Sequence, residues 1–205
     1  MAIATKNLNQ FKNQLRGGGA RPNLFEVSIP AFPSGVTTQV AWNNKQNKDL
    51  RFLCKAAQLP ASTIAEIPVP FRGRILKVAG DRTFEPWTVT IINDEDFQLR
   101  TAFERWMNVI SKLDDATGVT NPSSYMTDAY VQQLGRGSQK FSTTNNGGES
   151  AVLRTYKFYD IWPTAVSAID LSYESDGTVE DFTVTFAVQY FTIGESDEST
   201  SSDDS

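Results

Sequence analysis

The sequence predicts a mainly β protein, an antiparallel β-sandwich or small barrel with one packed α-helix. Residues 87–92 and 182–190 alternate apolar and polar side chains, which is the period of a half-buried strand. Residues 99–113 instead repeat apolar side chains at intervals of four and three, which is helical spacing. With 205 residues, 40% of them hydrophobic, the chain can form one domain with its own core.

The first part of the chain predicts an arm followed by two strands. Leu8, Phe11 and Leu15 fall at helical spacing ahead of three glycines, which predicts a short amphipathic arm on a hinge. Residues 25–29 alternate and predict a strand, and residues 50–57 predict a second strand after a polar loop.

The segment 59–95 holds two strand-like runs, 74–79 and 87–92. Four prolines interrupt this segment, namely Pro60, Pro68, Pro70 and Pro86. Because proline cannot donate a ladder hydrogen bond, it belongs at strand starts, edges and bends. The residues between Pro70 and Gly80 mix apolar and basic side chains. A strand of this kind is expected to stand clear of its own domain and to pair with another copy of the protein.

One helix is expected after the strand 87–92. Asn93 is the expected capping residue, and the acids at 94–96 suit the positive end of the helix dipole. The stripe expected to pack on a sheet is Leu99, Phe103, Trp106, Ile110 and Leu113. Residues 114–150 show no sustained period and are expected to be mostly loop, with a short strand near Tyr130.

Three strands are expected in the C-terminal part of the chain. The first spans residues 152–162, with Tyr156, Phe158 and Trp162 on one face. The second carries Ile169, Leu171 and Tyr173, and the last and strongest carries Phe182, Val184, Phe186, Val188 and Tyr190. The second and third strands flank Ser175-Asp176-Gly177, in which Asp-Gly supplies the positive φ angles of a tight hairpin turn.

The composition excludes several kinds of chemistry. The chain has no histidine, and its one cysteine, Cys54, leaves no internal disulfide and nearly excludes a zinc site. Cys54 is expected to be a buried, inert thiol. The acids at 94–96 have a helix-start explanation that is preferred over the paired carboxylates of a glycoside hydrolase. No catalytic, cofactor-binding or metal-binding residue is predicted.

Charge and hydropathy argue against a nucleic-acid reader and against a membrane span. The net charge is −5, and residues 195–205 carry five acids and no base, so they are expected to be a disordered tail. A nucleic-acid reader would show a basic patch. No apolar stretch approaches the roughly 20 residues of a membrane span. The first 19 residues lack the apolar core of a secretory signal.

Four motifs occur in an order that resembles one protein family. They are ARPNLFEVSI at 20–29, CKAAQLP at 54–60, IPVPFRGRILKVAGDRTFEPWTVTIINDE at 67–95 and IWPTAV at 161–166. Together they resemble the tail tube protein of contractile-tailed, T4-like bacteriophages over most of 20–191. The segments that depart from the shorter family pattern are 36–49, 135–150 and the tail from 195.

The resemblance implies a tail-tube-like fold and a structural subunit that is not an enzyme. In this family, hexameric rings stack axially into a hollow tube inside a contractile sheath, and strands of all subunits line the lumen through which DNA passes. The implied partners are sheath, baseplate, tape measure and tail terminator proteins. The implied location is the virion tail, after assembly in the host cytoplasm. The expected division is an arm and hinge at 1–19, a tail tube β-domain at 20–194 and the acidic tail.

Two groups of residues are expected to serve assembly and transport. The expected subunit-interface residues are Ile67, Val69, Phe71, Arg72, Arg74, Val78, Asp81 and Arg82, the last two at the join of two strands. The expected lumen residues are Thr88, Thr90, Thr183, Thr185 and Gln189. They include no base, which suits a conduit for a polyanion because each basic contact to phosphate adds affinity. The alternatives are a secretion-system tube subunit, a baseplate protein that starts the tube, a soluble ligand-binding β-sandwich and a hydrolase.

Overall fold

A computed structural model of the chain describes Leu8 and residues 19–37, 42–135, 152–174 and 177–194. These residues belong to two compact units. The larger comprises Val27–Val131 and Tyr156–Thr192, and the described residues outside those ranges form the smaller one. The core and every side chain of the sites below belong to the larger unit.

Strands dominate the secondary structure of the described ranges. In chain order the elements are β1 (Phe25–Ser28), α1 (Ser34–Thr37), α2 (Asn44–Leu53), β2 (Cys54–Ala57), β3 (Ser62–Phe71), β4 (Arg74–Phe84), β5 (Trp87–Ile92), α3 (Gln98–Ile110), a 3-10 turn (Pro122–Ser124), β6 (Thr127–Leu134), β7 (Val152–Val166), β8 (Asp181–Ala187) and β9 (Tyr190–Gly194). The strand predicted near Tyr130 is therefore confirmed as β6.

Seven strands form one sheet, and two form another. The larger sheet has the order β1-β6-β7-β8-β5-β2, with β9 also paired to β7. The pairs β2–β5, β5–β8 and β7–β8 are antiparallel. β3 and β4 form the separate two-stranded sheet, which is also antiparallel. The predicted mainly β, antiparallel fold with a packed helix is confirmed.

The core lies where one face of the β5–β8 pair meets α3. Buried positions alternate with half-buried ones along both strands. The Phe186 ring centroid lies 5.9 Å from that of Phe103 and 6.2 Å from that of Trp106, both on α3. Trp87 stacks on Phe158 with 4.5 Å between centroids. These aromatic contacts determine which face of the two strands is turned away from solvent.

Helix α3 carries the predicted apolar stripe along most of its length. Leu99, Phe103 and Trp106 are buried, as predicted. Ile110 is only half-buried, and Leu113 lies beyond the helix end and is 96% exposed. The prediction that Leu113 packs in the core is therefore wrong, because the helix stops before the next turn would bring that side chain inward.

The predicted start of α3 is also wrong. The helix begins at Gln98, and its N-cap Phe97 has a left-handed φ of 52° and supplies no side-chain capping hydrogen bond. Asn93 donates instead to Glu180, with 3.0 Å between Nδ2 and Oε2. Asn93 therefore binds Glu180 and does not cap the helix. The acids at 94–96 lie ahead of the helix rather than in its first turn.

The expected strand 50–57 is helical in its first half. Asn43 and Gln46 form a reciprocal capping box, which starts α2 and satisfies two free backbone N–H groups. Leu50 is the buried residue of this helix. Only Cys54–Ala57 is strand. The boundary prediction fails because the cap, which lies in the polar loop, commits the following residues to a helix.

Strand β7 changes its buried face part-way along. Phe158 is buried, but Asp160 has a φ of 53°, which departs from strand geometry. Beyond it Ile161 and Pro163 are buried, while Trp162 is half-buried. The positive φ shifts the alternation by one residue, so the prediction that Trp162 shares the face of Phe158 is wrong.

The strand predicted over Ile169, Leu171 and Tyr173 is also wrong. These residues lie in the loop between β7 and β8, and no strand of the described residues pairs with them. β8 ends before Val188, and Tyr190 begins β9 and is exposed. Alternation alone does not distinguish a strand from a loop with exposed apolar residues.

Some expectations concern residues outside the described ranges. These are the arm residues Phe11 and Leu15, the segment 136–150, the turn residues Ser175 and Asp176, and the tail 195–205. Gly177, which completes that predicted turn, is described and has a φ of 74°, in the region that glycine favours.

Candidate assembly surfaces

A two-stranded hairpin made of β3 and β4 stands apart from the larger sheet. The two strands pair along their length, and every residue of β3 is exposed. Arg72 and Gly73 form the turn, with φ angles of 44° and 80°. Positive φ at both central residues matches the twist of a tight hairpin. Because an isolated two-stranded hairpin is marginally stable in water, this one is suited to pairing with a partner.

One face of the hairpin is an apolar ladder. Ile67 lies opposite Val78, and Val69 lies opposite Leu76. These four side chains are 43–62% exposed, and Phe71 extends the row to the tip. Directly opposed residues share a face of the sheet, so the row forms one continuous apolar surface. Such a surface marks an interaction site.

The opposite face of the hairpin is more polar away from the tip, where Ile75 lies opposite Pro70. Glu66 lies opposite Ala79, and Pro68 lies opposite Lys77. Lys77 Nζ is 2.6 Å from Glu66 Oε2, and both side chains are exposed. An ion pair on this face and an apolar ladder on the other indicate that a partner covers the ladder.

The hairpin tip combines positive charge with apolar area. The guanidinium carbon of Arg72 lies 5.5 Å from the centroid of the Phe71 ring. Arg74 and the exposed Ile75 follow directly after the turn. Neither arginine forms an ion pair with another residue of the described ranges. Their charge is therefore available to a partner.

Asp81 and Arg82 lie apart from this tip. Both belong to β4 and not to a turn between two strands, so that part of the prediction is wrong. Arg82 lies opposite Ile64, and the register shifts between Ile64 and Glu66, which marks a bulge.

β3 is absent from the strands that the sequence predicts. The sequence feature that could have revealed β3 is the Arg-Gly pair directly after it, which forms a tight turn, followed by an apolar run that can pair with β3 as the second strand of a hairpin.

The predicted lumen threonines lie in register on one face of the sheet. Thr88 lies opposite Thr185 and Thr90 opposite Thr183. The hydroxyl oxygens of the second pair are 3.4 Å apart. All four alternate with buried residues, so they occupy the face away from the core. Gln189 is exposed and lies outside β8, in its connection to β9.

An ion pair borders the threonine face. Asp181 lies opposite Ile92 at the end of the β5–β8 pair, and its carboxylate binds the ammonium of Lys55 on β2. β5 and β8 themselves contain no lysine or arginine. The face formed by these two strands is therefore neutral apart from Asp181, whose charge is balanced.

β1 and β2 end the strand order of the larger sheet, and each is an edge strand that pairs with one neighbour among the described residues. An edge strand presents backbone donors and acceptors that can pair with another chain.

Cys54 lies in β2, where burial raises the pKa of its thiol to about 12. The thiol is therefore protonated and a poor nucleophile near neutral pH, in agreement with its predicted inertness. Cys54 is only half-buried, however, and not buried as predicted.

The described part of the chain offers no metal centre. It contains no group of three or more histidine, cysteine, aspartate or glutamate residues that could hold an ion. The acids at 94–96 are exposed. None of the helices in the described ranges has the length and apolar character that crossing a membrane requires.

Relatives of known identity align with most of this chain. Residues 20–194 match the family model described as phage tail tube protein. The chain is 33% identical over 175 residues to tail tube protein gp19 of Enterobacteria phage T4, which covers 85% of this chain and 92% of that protein. It is 26% identical over 178 residues to the tail tube protein of Serratia phage KSP90, which covers 86% and 90% of the two chains.

Solved structures share the fold at lower identity. The tube-terminating cap of the anti-feeding prophage has a TM-score of 0.58 at 14% identity and covers 95% of this chain and 99% of its own. The sheath/tube terminator of the PVC extracellular contractile injection system in its extended state has a TM-score of 0.56 at 13% identity, over 86% and 96%. The family model matches most of the length of this chain, and one third of the aligned residues are identical in gp19. The chain therefore belongs to the phage tail tube protein family and is a structural tube subunit.

Proposed function

We propose that this protein forms hexameric rings that stack axially into the hollow tube of a contractile phage tail and conduct DNA during ejection. Its role there is structural and involves no catalysis. The observation that carries the proposal is the exposed hairpin, whose apolar ladder is not covered by any other part of the described residues. Membership of the tail tube family supplies the kind of assembly in which such a surface becomes buried.

The hairpin supports assembly because its exposed apolar ladder gains stability when a second copy of the chain covers it. We assign the contact between copies to Ile67, Val69, Phe71, Arg72, Arg74, Val78, Asp81 and Arg82. A contact between two different surfaces of identical subunits closes into a ring if its rotation closes and otherwise continues as a filament. A tube needs both kinds of contact. The hairpin and the open edges at β1 and β2 provide the separate surfaces that such an assembly requires.

The threonine face supports the conduit. Thr88, Thr90, Thr183 and Thr185 form a neutral hydroxyl surface, and we place them together with Gln189 on the wall of the bore. A wall rich in lysine or arginine would hold the passing DNA, since each phosphate contact releases counterions and adds affinity. A neutral wall lets the polyanion slide.

The remaining contacts follow from this role. A tube inside a contractile tail meets the sheath along its length, the baseplate at one end and the tail terminator at the other, and it encloses the tape measure. We place the protein in the virion tail, after assembly in the host cytoplasm. The sheath binds the outer wall, the baseplate and the terminator bind the two ends, and the tape measure lies in the bore, which leaves the hairpin to contacts between the subunits themselves.

Electron microscopy of the purified protein tests the proposed function. We expect negatively stained samples to show hollow tubes or six-membered rings, with assembled material sedimenting on ultracentrifugation. Rings that never elongate would identify a tube-initiating subunit instead. A preparation that stays monomeric at all concentrations would contradict assembly altogether and would favour a soluble β-sandwich.

Lysine substitutions test the conduit. Changing Thr185 and Gln189 together to lysine should leave tubes intact in micrographs but slow DNA ejection from reconstituted particles, because the added charges bind phosphate. The control changes the same two residues to glutamate, which adds similar bulk without attracting DNA. Normal ejection from particles that carry the lysine variant would show that these residues do not line the bore.

A further inference from the structure

A shallow groove of about 690 Å³ lies in the loop between β7 and β8. Residues 167–173 and 178–181 line it. Three apolar side chains of this loop are almost fully in solvent, with Leu171 80% exposed, Val179 73% exposed and Tyr173 as exposed as in an extended chain. Apolar side chains that project this far from a subunit gain stability only when something covers them.

The groove and its rim are acidic. Asp170 and Glu180 line it, and Glu174 follows directly after the lining residue Tyr173. Asp181 is balanced by Lys55, and Glu180 accepts a hydrogen bond from Asn93. Neither Asp170 nor Glu174 has an ion-pair partner within the described ranges. The loop therefore presents negative charge beside apolar area.

We propose that the hairpin tip of a second copy of this chain docks in the groove. The tip offers the complementary chemistry, with Phe71 and Ile75 as apolar groups and Arg72 and Arg74 as cations without ion-pair partners among the described residues. Complementary charge steers two surfaces together and fixes their register. The inference rests on the proposed function, because it names the surface that receives the hairpin during assembly.

The dimensions and connectivity of the two surfaces agree with this pairing. The groove volume of about 690 Å³ lies within the range of about 300–1,000 Å³ typical of sites that bind a small molecule, which is the scale of a turn tip rather than of a whole strand. Tip and groove are different surfaces of the same chain. Their contact is therefore head-to-tail and can propagate from copy to copy.

Charge reversal tests the pairing. Arg74→Glu and Asp170→Arg should each raise the protein concentration needed for half-maximal assembly by about tenfold, because each places like charges together. The double variant restores opposite charges at one contact and should return that concentration to within about threefold of the unaltered protein. Assembly is measured by ultracentrifugation and negative-stain microscopy, and circular dichroism verifies folding. Lys48→Glu and Glu95→Arg, at exposed positions elsewhere, are the matched controls.

The outcomes separate this inference from the proposed function. If Arg74→Glu impairs assembly while Asp170→Arg assembles normally, or if the double variant is no better than the worse single variant, the groove does not receive the tip. In both cases the hairpin keeps its role in assembly. If the unaltered protein forms neither rings nor tubes, the proposed function fails and the inference fails with it.

Discussion

Replacing Trp106 with alanine should lower the free energy of unfolding by about 3–5 kcal/mol, as expected when a fully buried aromatic side chain is removed. Trp106 has no exposed surface, and its ring centroid lies 4.6 Å from that of Phe32 and 6.2 Å from that of Phe186. Its Nε1–H donates to the Tyr125 carbonyl at 2.8 Å. The substitution therefore leaves a cavity and also a carbonyl without its donor.

The measurement is thermal or urea unfolding of the unassembled subunit followed by far-ultraviolet circular dichroism. At about 2–4 °C per kcal/mol for a chain of this size, the melting temperature should fall by about 6–20 °C. Leu113→Ala is the control, because this side chain is 96% exposed and its loss should change stability by no more than about 0.5 kcal/mol. Equal effects of the two substitutions would mean that α3 is not packed as described.

The sequence pattern identifies the buried face of α3 because a helical period is a local property. Leu99, Phe103 and Trp106 repeat at the spacing that places them on one side, and all three are buried. The helix start is not local in the same sense. Phe97 caps the helix through a left-handed backbone and no side-chain hydrogen bond, so no capping residue marks the boundary.

The errors around α2 and β7 have a different cause. Residues 50–57 contain enough apolar side chains to suggest a strand, yet the capping box begun at Asn43 outweighs that pattern. In β7 the positive φ of Asp160 moves the buried positions by one residue. Asparagine and aspartate adopt positive φ more readily than most residues. Nothing in a two-residue alternation shows where such a kink will fall.

The candidate surfaces show the same division between local and tertiary information. Alternation places Thr88 and Thr185 on the non-core faces of their strands, but their direct opposition depends on how two distant strands align. The alternation of apolar and polar residues does not predict the conformation of the loop that forms the groove. Its apolar residues Leu171 and Tyr173 have the spacing of a strand, yet both are exposed, and no strand within the described ranges pairs with this segment.

Replacing Val78 with aspartate should abolish assembly while leaving the subunit folded. Val78 is 44% exposed in the subunit and lies in the apolar ladder opposite Ile67, so the charge costs little until a partner covers it. Once covered, an unpaired carboxylate should cost at least about 3 kcal/mol at each contact. The concentration needed for assembly should therefore rise by about 100-fold or more.

The matched control is Ala79→Asp, which adds the same charge to the opposite face of the same strand. Ala79 lies opposite Glu66, which already pairs with Lys77, so the added carboxylate stays in solvent and costs at most about 1 kcal/mol through repulsion by Glu66. Assembly should therefore change little. Sedimentation and micrographs measure assembly, and circular dichroism verifies that both variants fold. If a folded Val78→Asp protein assembles as readily as Ala79→Asp, the apolar ladder stays in solvent within the tube. The contact between copies would then have to be made by other surfaces, such as the edges at β1 and β2.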